Sequence, residues 1–462
     1  MNNTKYSYWV LWSIFIYIIF PIIIFKFISN FININAGIIS LDIILLMLFS
    51  RYLNTIGLSI LFCTIILIDV LLSSAHSYFL VVDDLFFSIK YLYQLKAGIY
   101  FLFVLFLLFL SLIWMVNWLL KNIIKPIPIW FSITLFTLVC GLDVLNNSSR
   151  LYYFIEIPPI LNIEANIARS NLGNAIVNLH RRFSLKESNN NVSDVTTNFR
   201  IKVNEILHNS QKEKPNICLV IMESFGVNVD SNNFNKVIMP ISTLKDNFII
   251  KIGKEKFYGS TISAETRELL GLINIPFRKL KYLDSTKVNN SIPSILKKFG
   301  YVSYGYHGFS GKMFDNKYWW PKIGFDSSIF LENYYELDSL QIGSLFRGLS
   351  DRFLIKIINN KISDANVSNP VFMYLLTLNT HLPISQDVGR EYEIIKFDKL
   401  DIPAKIDSIN YRILHDIANM ISKSSNTIFF IVGDHPPPLG DKLSRYYNPK
   451  MIPSIIIEQK DL

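Results

Sequence analysis

The first 145 residues constrain this chain more than any motif in it, because so little of that stretch tolerates water. Residues 8–28, 37–50, 56–73, 97–120 and 127–145 are almost unbroken runs of Ile, Leu, Phe, Val and Trp. Most are long enough to cross the roughly 30 Å of a bilayer's hydrocarbon core as a helix, and 37–50 is the shortest. The pattern predicts an N-terminal α-helical transmembrane domain of about five spans over 1–145. No small-residue cleavage site follows the first run, so it is expected to be retained rather than removed as a signal peptide. Asp42, Asp69 and Asp143 fall near the ends of these runs, where exposure to headgroups or water accounts for an acid.

The rest of the chain reads differently. Residues 146–213 form a linker, in which "PPILNIEANIARSNLGNAIVNLHRRF" (158–183) spaces Ile160, Ile163, Ile167, Ile176 and Leu179 among arginines. That arrangement suits an interfacial helix lying on a membrane surface. "SLKESNNNVSDVTTN" then reads as a polar loop, and a soluble domain is expected to start at Lys214–Pro215 and run to residue 462. The net charge of +9 fits a protein beside anionic lipid. No basic run interleaved with aromatics points to nucleic acid. The three cysteines, Cys63, Cys140 and Cys218, sit in apolar segments and form neither a disulfide framework nor a zinc-type pair.

From residue 214 onward, strand and helix patterns alternate. "NICLVIM" (216–222), "YVSYGYH" (301–307), "VFMYLLTLNTH" (371–381) and "TIFFIVG" (427–433) read as buried strands. "SIPSILKKFG" (291–300) and "IDSINYRILHDIANMIS" (406–422) carry helical spacing between them. This alternation predicts an α/β domain with a mostly parallel sheet. Residues able to do chemistry cluster just beyond the strands: Glu223, His307, His381, Asp434 and His435. Open α/β sheets bind ligands beyond the carboxyl ends of their strands. Asp434 and His435 are the most specific of these, because a carboxylate buried beside an imidazole is costly unless a cation joins them. A divalent metal accepts both ligand types. "YGSTISAETRELLG" (258–271) adds hydroxyls, Ser260 and Thr261, at the start of a short helix expected to end at Gly271. Held against a divalent cation, such a hydroxyl deprotonates more readily and becomes a nucleophile toward phosphorus.

Taken together, "VIMESFG", "GSTISAE", "GYHGF", "TLNTHLP" and "VGDHPPP" behind an apolar anchor resemble the membrane-anchored phosphoethanolamine and phosphoglycerol transferases. These are lipoteichoic acid synthase-like enzymes of the sulfatase/alkaline phosphatase superfamily. The resemblance implies one divalent metal, zinc or manganese, on Glu223, Thr261, Asp434 and His435, with Thr261 the nucleophile. Thr261 is preferred to Ser260 because it matches the Thr of a Gly-x-Thr pattern. The headgroup-binding histidines match His307 and His381. Lipoteichoic acid synthases carry a Trp and an Arg soon after the first of these, where this chain has "FDNKYWW"; Trp319 or Trp320, and Arg267 as a phosphate contact, are the expected replacements.

The implied reaction transfers a headgroup from phosphatidylethanolamine or phosphatidylglycerol, through a phospho-threonine, to a surface glycan or glycolipid. The implied location is a bacterial inner (cytoplasmic) membrane, multi-pass, with the catalytic domain on the periplasmic or extracellular side. Two alternatives stand beside this reading. One is hydrolysis of phosphodiesters or sulfate esters, although "GSTISAETR" lacks the Cys/Ser-x-Pro-x-Arg pattern of sulfatases. The other is a non-enzymatic membrane subunit with a degenerate catalytic fold.

Overall fold

A computed structural model describes residues 12, 15–32, 39–49, 52–77, 98–123, 129–146, 168–169, 192–208, 214–273, 275, 277–334, 336, 338–343, 346–364, 370–439 and 443–460. The chain forms two compact units, one of apolar helices and one built on a sheet.

The apolar unit contains helices at Phe20–Ile32, Leu41–Phe49, Thr55–Ser77, Gly98–Ile123 and Ile129–Asn146. Ile16, Ile43, Met47, Phe62, Cys63 and Val116 pack in its core. Among the described residues, one helix is long and apolar enough to cross a membrane, at Thr55–Ser73. Residues 37–50 do not form the span expected of them. The helix there, Leu41–Phe49, has nine residues and rises only about 13 Å. Before it, Ile39–Ser40 pairs in parallel with Ala168–Arg169, a strand inside the expected interfacial helix. The rest of 158–183 lies outside the described residues, as does the side chain of Asp143. Asp42 and Asp69 are buried among the helices rather than exposed at span ends.

The second unit is organised by seven strands: β1 (Asn216–Met222), β2 (Phe248–Lys256), β3 (Val302–His307), β4 (Ser327–Ile329), β5 (Val371–Leu376), β6 (Thr427–Gly433) and β7 (Met451–Gln459). Their order is β2-β7-β6-β1-β5-β3-β4, and only β7 runs against the others. The mostly parallel sheet predicted from the alternating pattern is therefore present. β1, β5 and β6 lie in the middle, and nearly every residue in them is buried. That accounts for their unbroken apolar sequences, since both faces of a central parallel strand are covered.

Helices α2 (Ser231–Ser242), α4 (Asp351–Ser363) and α5 (Ile402–Lys423) cover one face. Val237, Ile241, Ile358, Ile409, Ile413 and Ile417 share a core there with Val220, Met373 and Ile431 of the sheet. α5 starts where Asp401 accepts the Ala404 N–H at 2.9 Å, with a proline in its first turn.

On the opposite face, helix α1 (Asn198–His208) places Phe199 against Phe372 and Phe430. Just before it, Ser193–Asp194 pairs antiparallel with Leu272–Ile273. The packed body thus begins ahead of the Lys214–Pro215 boundary read from the sequence. The polar composition around Ser193–Asn198 concealed a strand and the entry to a helix, because Ser193 and Asp194 are both exposed and only Thr197 of these residues is buried.

β6 ends against the turn that follows β1. A Cβ placed on Gly433 would lie 2.1 Å from the Phe225 carbonyl oxygen, so the two turns approach this closely only with glycine there. Gly433→Ala is expected to destabilise the fold by about 1–3 kcal/mol, as overpacking does, and to lower the thermal midpoint measured by circular dichroism. A midpoint equal to wild type would refute the close approach.

Candidate active site

The turns leaving β1 and β6 bring acids together beneath one hydroxyl. Glu223 follows β1 directly, and Asp434 and His435 follow β6. α3 (Thr261–Glu265) begins with Thr261, after Gly259 at φ +141° and Ser260 at the N-cap. The Thr261 hydroxyl lies 2.9 Å from Asp434 Oδ2, 3.1 Å from Glu223 Oε2 and 3.5 Å from His435 Nε2. His435 Nε2 is also 3.3 Å from Asp434 Oδ2 and 3.7 Å from Glu223 Oε1. Four residues expected to act together from 223, 261 and 434–435 therefore meet at one point.

The backbone holds this cluster tightly. Ser224 adopts φ +52°, a left-handed conformation that disfavours a side chain by about 1 kcal/mol or more. Its N–H donates to Asp434 Oδ1 at 2.8 Å, its hydroxyl donates to Glu223 Oε1 at 2.9 Å, and Asn410 of α5 donates to its carbonyl. The Glu223 N–H donates to Thr377 Oγ1 at 2.8 Å, while the Thr380 hydroxyl donates to the Glu223 carbonyl. Strain kept in place by this many partners is characteristic of functional sites. None of Ser224, Thr377, Thr380 or Asn410 was singled out from sequence. The two threonines in "TLNTH" were the available signal, one on each side of the turn after β5.

Glu223, Asp434 and His435 are all buried, and their nearest ligand atoms lie within 4.8 Å of one another. Burial, followed by the adjacent Glu223 charge, pushes Asp434 well above the usual carboxylate range. Burial also opposes the charge on Glu223, but the His381 and His435 imidazoles and the Ser224 hydroxyl hold its carboxyl below the usual range. His435 Nδ1 faces the Pro436 carbonyl at 3.0 Å, which turns Nε2 toward the acids. Two buried carboxylate groups and an inward-facing imidazole nitrogen make a donor set suited to a divalent cation.

His307 ends β3 with Nδ1 3.1 Å from the Leu376 carbonyl, and burial lowers it to about 4. His381 ends the turn after β5; its Nδ1 faces the Leu382 carbonyl, and its ring packs on Phe346. Both lie near enough to Glu223 for their charges to interact.

Arg267 and Trp319 are placed differently from expectation. Arg267 is 1% exposed, bonded through Nε to Glu268 at 2.6 Å and through Nη2 to the Gly433 carbonyl at 3.1 Å. It braces the strand end carrying Asp434, and its Nη1 is buried with no hydrogen-bond partner among the described residues. Trp319 is fully buried, with Nε1 on Asn316 Oδ1, and Trp320 donates to Glu265. Both indoles are core, and Trp320 packs against β3, where a Cβ on Gly305 would meet its ring at 2.7 Å. Aromatic spacing alone does not distinguish a pocket wall from a core.

The helix bearing Thr261 continues through a wider turn, Thr266–Leu270, and stops at Gly271, φ +68°. There Arg200 of α1 donates to the Leu269 carbonyl at 3.2 Å and the Asn290 carbonyl at 2.9 Å.

A seven-stranded α/β sheet with a hydroxyl, two acids and imidazoles at its carboxyl rim defines the class. Residues 215–455 match the family described as Sulfatase, more than half of the chain, and the chain belongs to that family. No curated protein matches the sequence. Among solved structures, the chain is similar to an alkaline phosphatase superfamily protein from Vibrio parahaemolyticus, at 20% identity and a TM-score of 0.41. That match covers 55% of this chain and 62% of the other, so this chain spans under two thirds of that relative's length. The lipoteichoic acid synthase LtaP from Listeria monocytogenes is similar at 16% identity, covering 56% and 71%, with a TM-score of 0.38. The Streptococcus pyogenes phosphoglycerol transferase GacH is similar at 14% identity, covering 56% and 72%, with a TM-score of 0.37.

Glu265, one turn beyond Thr261, accepts from Trp320 Nε1 at 3.0 Å and Tyr374 Oη at 3.1 Å, and burial raises it to about 8. The folded protein keeps a proton there that the unfolded chain loses near 4.5. Stability therefore falls as pH rises from about 4.5 to about 8. Glu265→Gln keeps an acceptor oxygen and removes the titration, so its melting temperature should decline less than wild type across that window. Parallel declines would sink the assignment.

Proposed function

We propose that this protein transfers a phospholipid headgroup, phosphoethanolamine or phosphoglycerol, to a cell-surface glycan or glycolipid through a phosphorylated Thr261. The observation that carries this reading is the position of the Thr261 hydroxyl, within 3.1 Å of both Glu223 and Asp434 at the start of a helix. In that setting its hydrogen is directed at carboxylate oxygens and a lone pair is left to face phosphorus.

Glu223, Asp434, His435 and the Thr261 oxygen would hold one divalent cation, zinc or manganese. Bound there, such an ion lowers the pKa of the hydroxyl and offsets charge on the phosphoryl oxygens. In the first half-reaction a bond forms between Thr261 Oγ1 and phosphorus as the bond to the diacylglycerol oxygen breaks. His307, neutral and with Nδ1 turned to the Leu376 carbonyl, offers Nε2 as an acceptor to a headgroup hydroxyl or ammonium. His381 is assigned the return of a proton to the leaving diacylglycerol oxygen. In the second half-reaction the acceptor hydroxyl displaces Thr261 from phosphorus, and the threonine recovers its proton. The apolar helices anchor the protein in a bacterial inner membrane, with the site on the periplasmic or extracellular side near its lipid donor. Arg267 and Trp319 are left out of substrate contact in this assignment because Arg267 Nε and Nη2 and Trp319 Nε1 are already bonded within the protein.

Incubation of purified protein with defined phospholipids should yield diacylglycerol and a Thr261 peptide heavier by the transferred headgroup. Thr261→Ala should abolish the adduct and lower transfer at least about a thousandfold, as loss of a nucleophile does. Chelation should remove activity, and zinc or manganese should restore it. Full turnover by Thr261→Ala would exclude this mechanism, and headgroup release that ignores an added glycan would make the enzyme a hydrolase.

A further inference from the structure

Asp351 opens α4, and its side chain is fully buried, near enough to Glu223 for the two charges to interact. Its carboxylate accepts the Leu378 N–H at 2.9 Å on Oδ1 and the Asn379 N–H at 2.9 Å on Oδ2. Asn379 reciprocates: its Oδ1 accepts the Asp351 N–H at 2.8 Å and the Tyr392 hydroxyl at 2.7 Å. These bonds join the start of α4 to the turn after β5, and all of them are buried.

The same turn grips Glu223 on both sides of its peptide. Thr377 Oγ1 accepts the Glu223 N–H, Thr380 donates to the Glu223 carbonyl, and His381 follows at once. A carboxylate that accepts backbone N–H groups in a dry setting holds them more firmly than a neutral acceptor does. The arrangement is more than a helix terminus needs. An acid in the first turn already complements the helix dipole from the surface, whereas burial raises Asp351 to about 7 and makes its position unfavourable in itself.

We propose that Asp351, with Asn379, is a positioning pair that fixes the 377–381 turn and so holds Glu223 ready for the divalent cation. This inference rests on the cation reading above. Its consequence is a contribution to metal affinity from a residue that touches neither the metal donors nor the substrate. Partners one step removed from a metal ligand typically alter affinity ten- to a hundredfold.

The test is calorimetric titration of zinc and of manganese into the metal-stripped full-length protein in detergent, with the melting temperature of each sample recorded. Asp351→Asn keeps the shape but replaces one of the two accepting oxygens by an NH2 facing a backbone N–H; it should bind the cation at least about tenfold more weakly than wild type. Asn379→Ala removes the reciprocal half and should weaken binding in the same direction, which keeps the test decisive if Asp351→Asn does not fold. If wild type binds neither cation, the metal reading itself fails. If wild type binds and the folded variants bind within twofold of it, with only their melting temperatures lowered, Asp351 is a helix-terminal acid and the inference is overturned.

Discussion

Glu223 and Asp434 carry like charge into the protein interior, a few ångströms apart and beneath a single hydroxyl. Two ionised carboxylates so close in a dry setting repel each other. Much of the surrounding architecture serves to keep them there. Ser224 stays in an unfavourable backbone conformation, Gly433 leaves room for the Phe225 carbonyl, and the turn after β5 secures Glu223 from two sides. Such an arrangement makes physical sense when positive charge is shared between the acids, as the donor set for a divalent cation would have it.

The parallel sheet makes the meeting possible. β1 and β6 are neighbours in register, so Gly433 lies opposite Met222 and the residues that follow each strand emerge side by side. Glu223 and Asp434 are far apart in sequence yet need only one turn each to face one another. β5 flanks β1 on its other side and delivers Thr377, Thr380 and His381 to the same rim. Thr261 alone arrives from off the sheet, on a short helix whose far end is stopped by Gly271 and held by Arg200.

The sheet was legible because central strands bury both faces, so "NICLVIM", "VFMYLL" and "TIFFIVG" are continuous apolar runs. The meeting of 223, 261 and 434–435 was legible because acids and imidazoles placed directly after such strands have few reasons to be there. Edge strands were harder to read. "FIIKIGKEK" of β2 faces water along much of its length and mixes lysines with isoleucines. Arg267 and Trp319 misled for a related reason: a long cation and a large ring look available in sequence, and only packing reveals that Glu268 and the Gly433 carbonyl engage Nε and Nη2 of one and that the other is fully buried with Nε1 on Asn316. In the apolar third, hydropathy reported affinity for a dry environment but not element length, so 37–50 read as a span and folded as a nine-residue helix.

The boundary of the family match and the boundary of the folding unit are not the same. The match begins at residue 215, whereas Phe199 already covers Phe372 and Phe430, Ser193–Asp194 already extends Leu272–Ile273, and Arg200 already binds the carbonyls behind Thr261. A chain trimmed to the matched region would leave two sheet phenylalanines wet and the nucleophile-bearing helix without its terminal clamp. The smallest excised piece that keeps the site intact therefore starts before residue 193, inside what composition alone presents as a spacer.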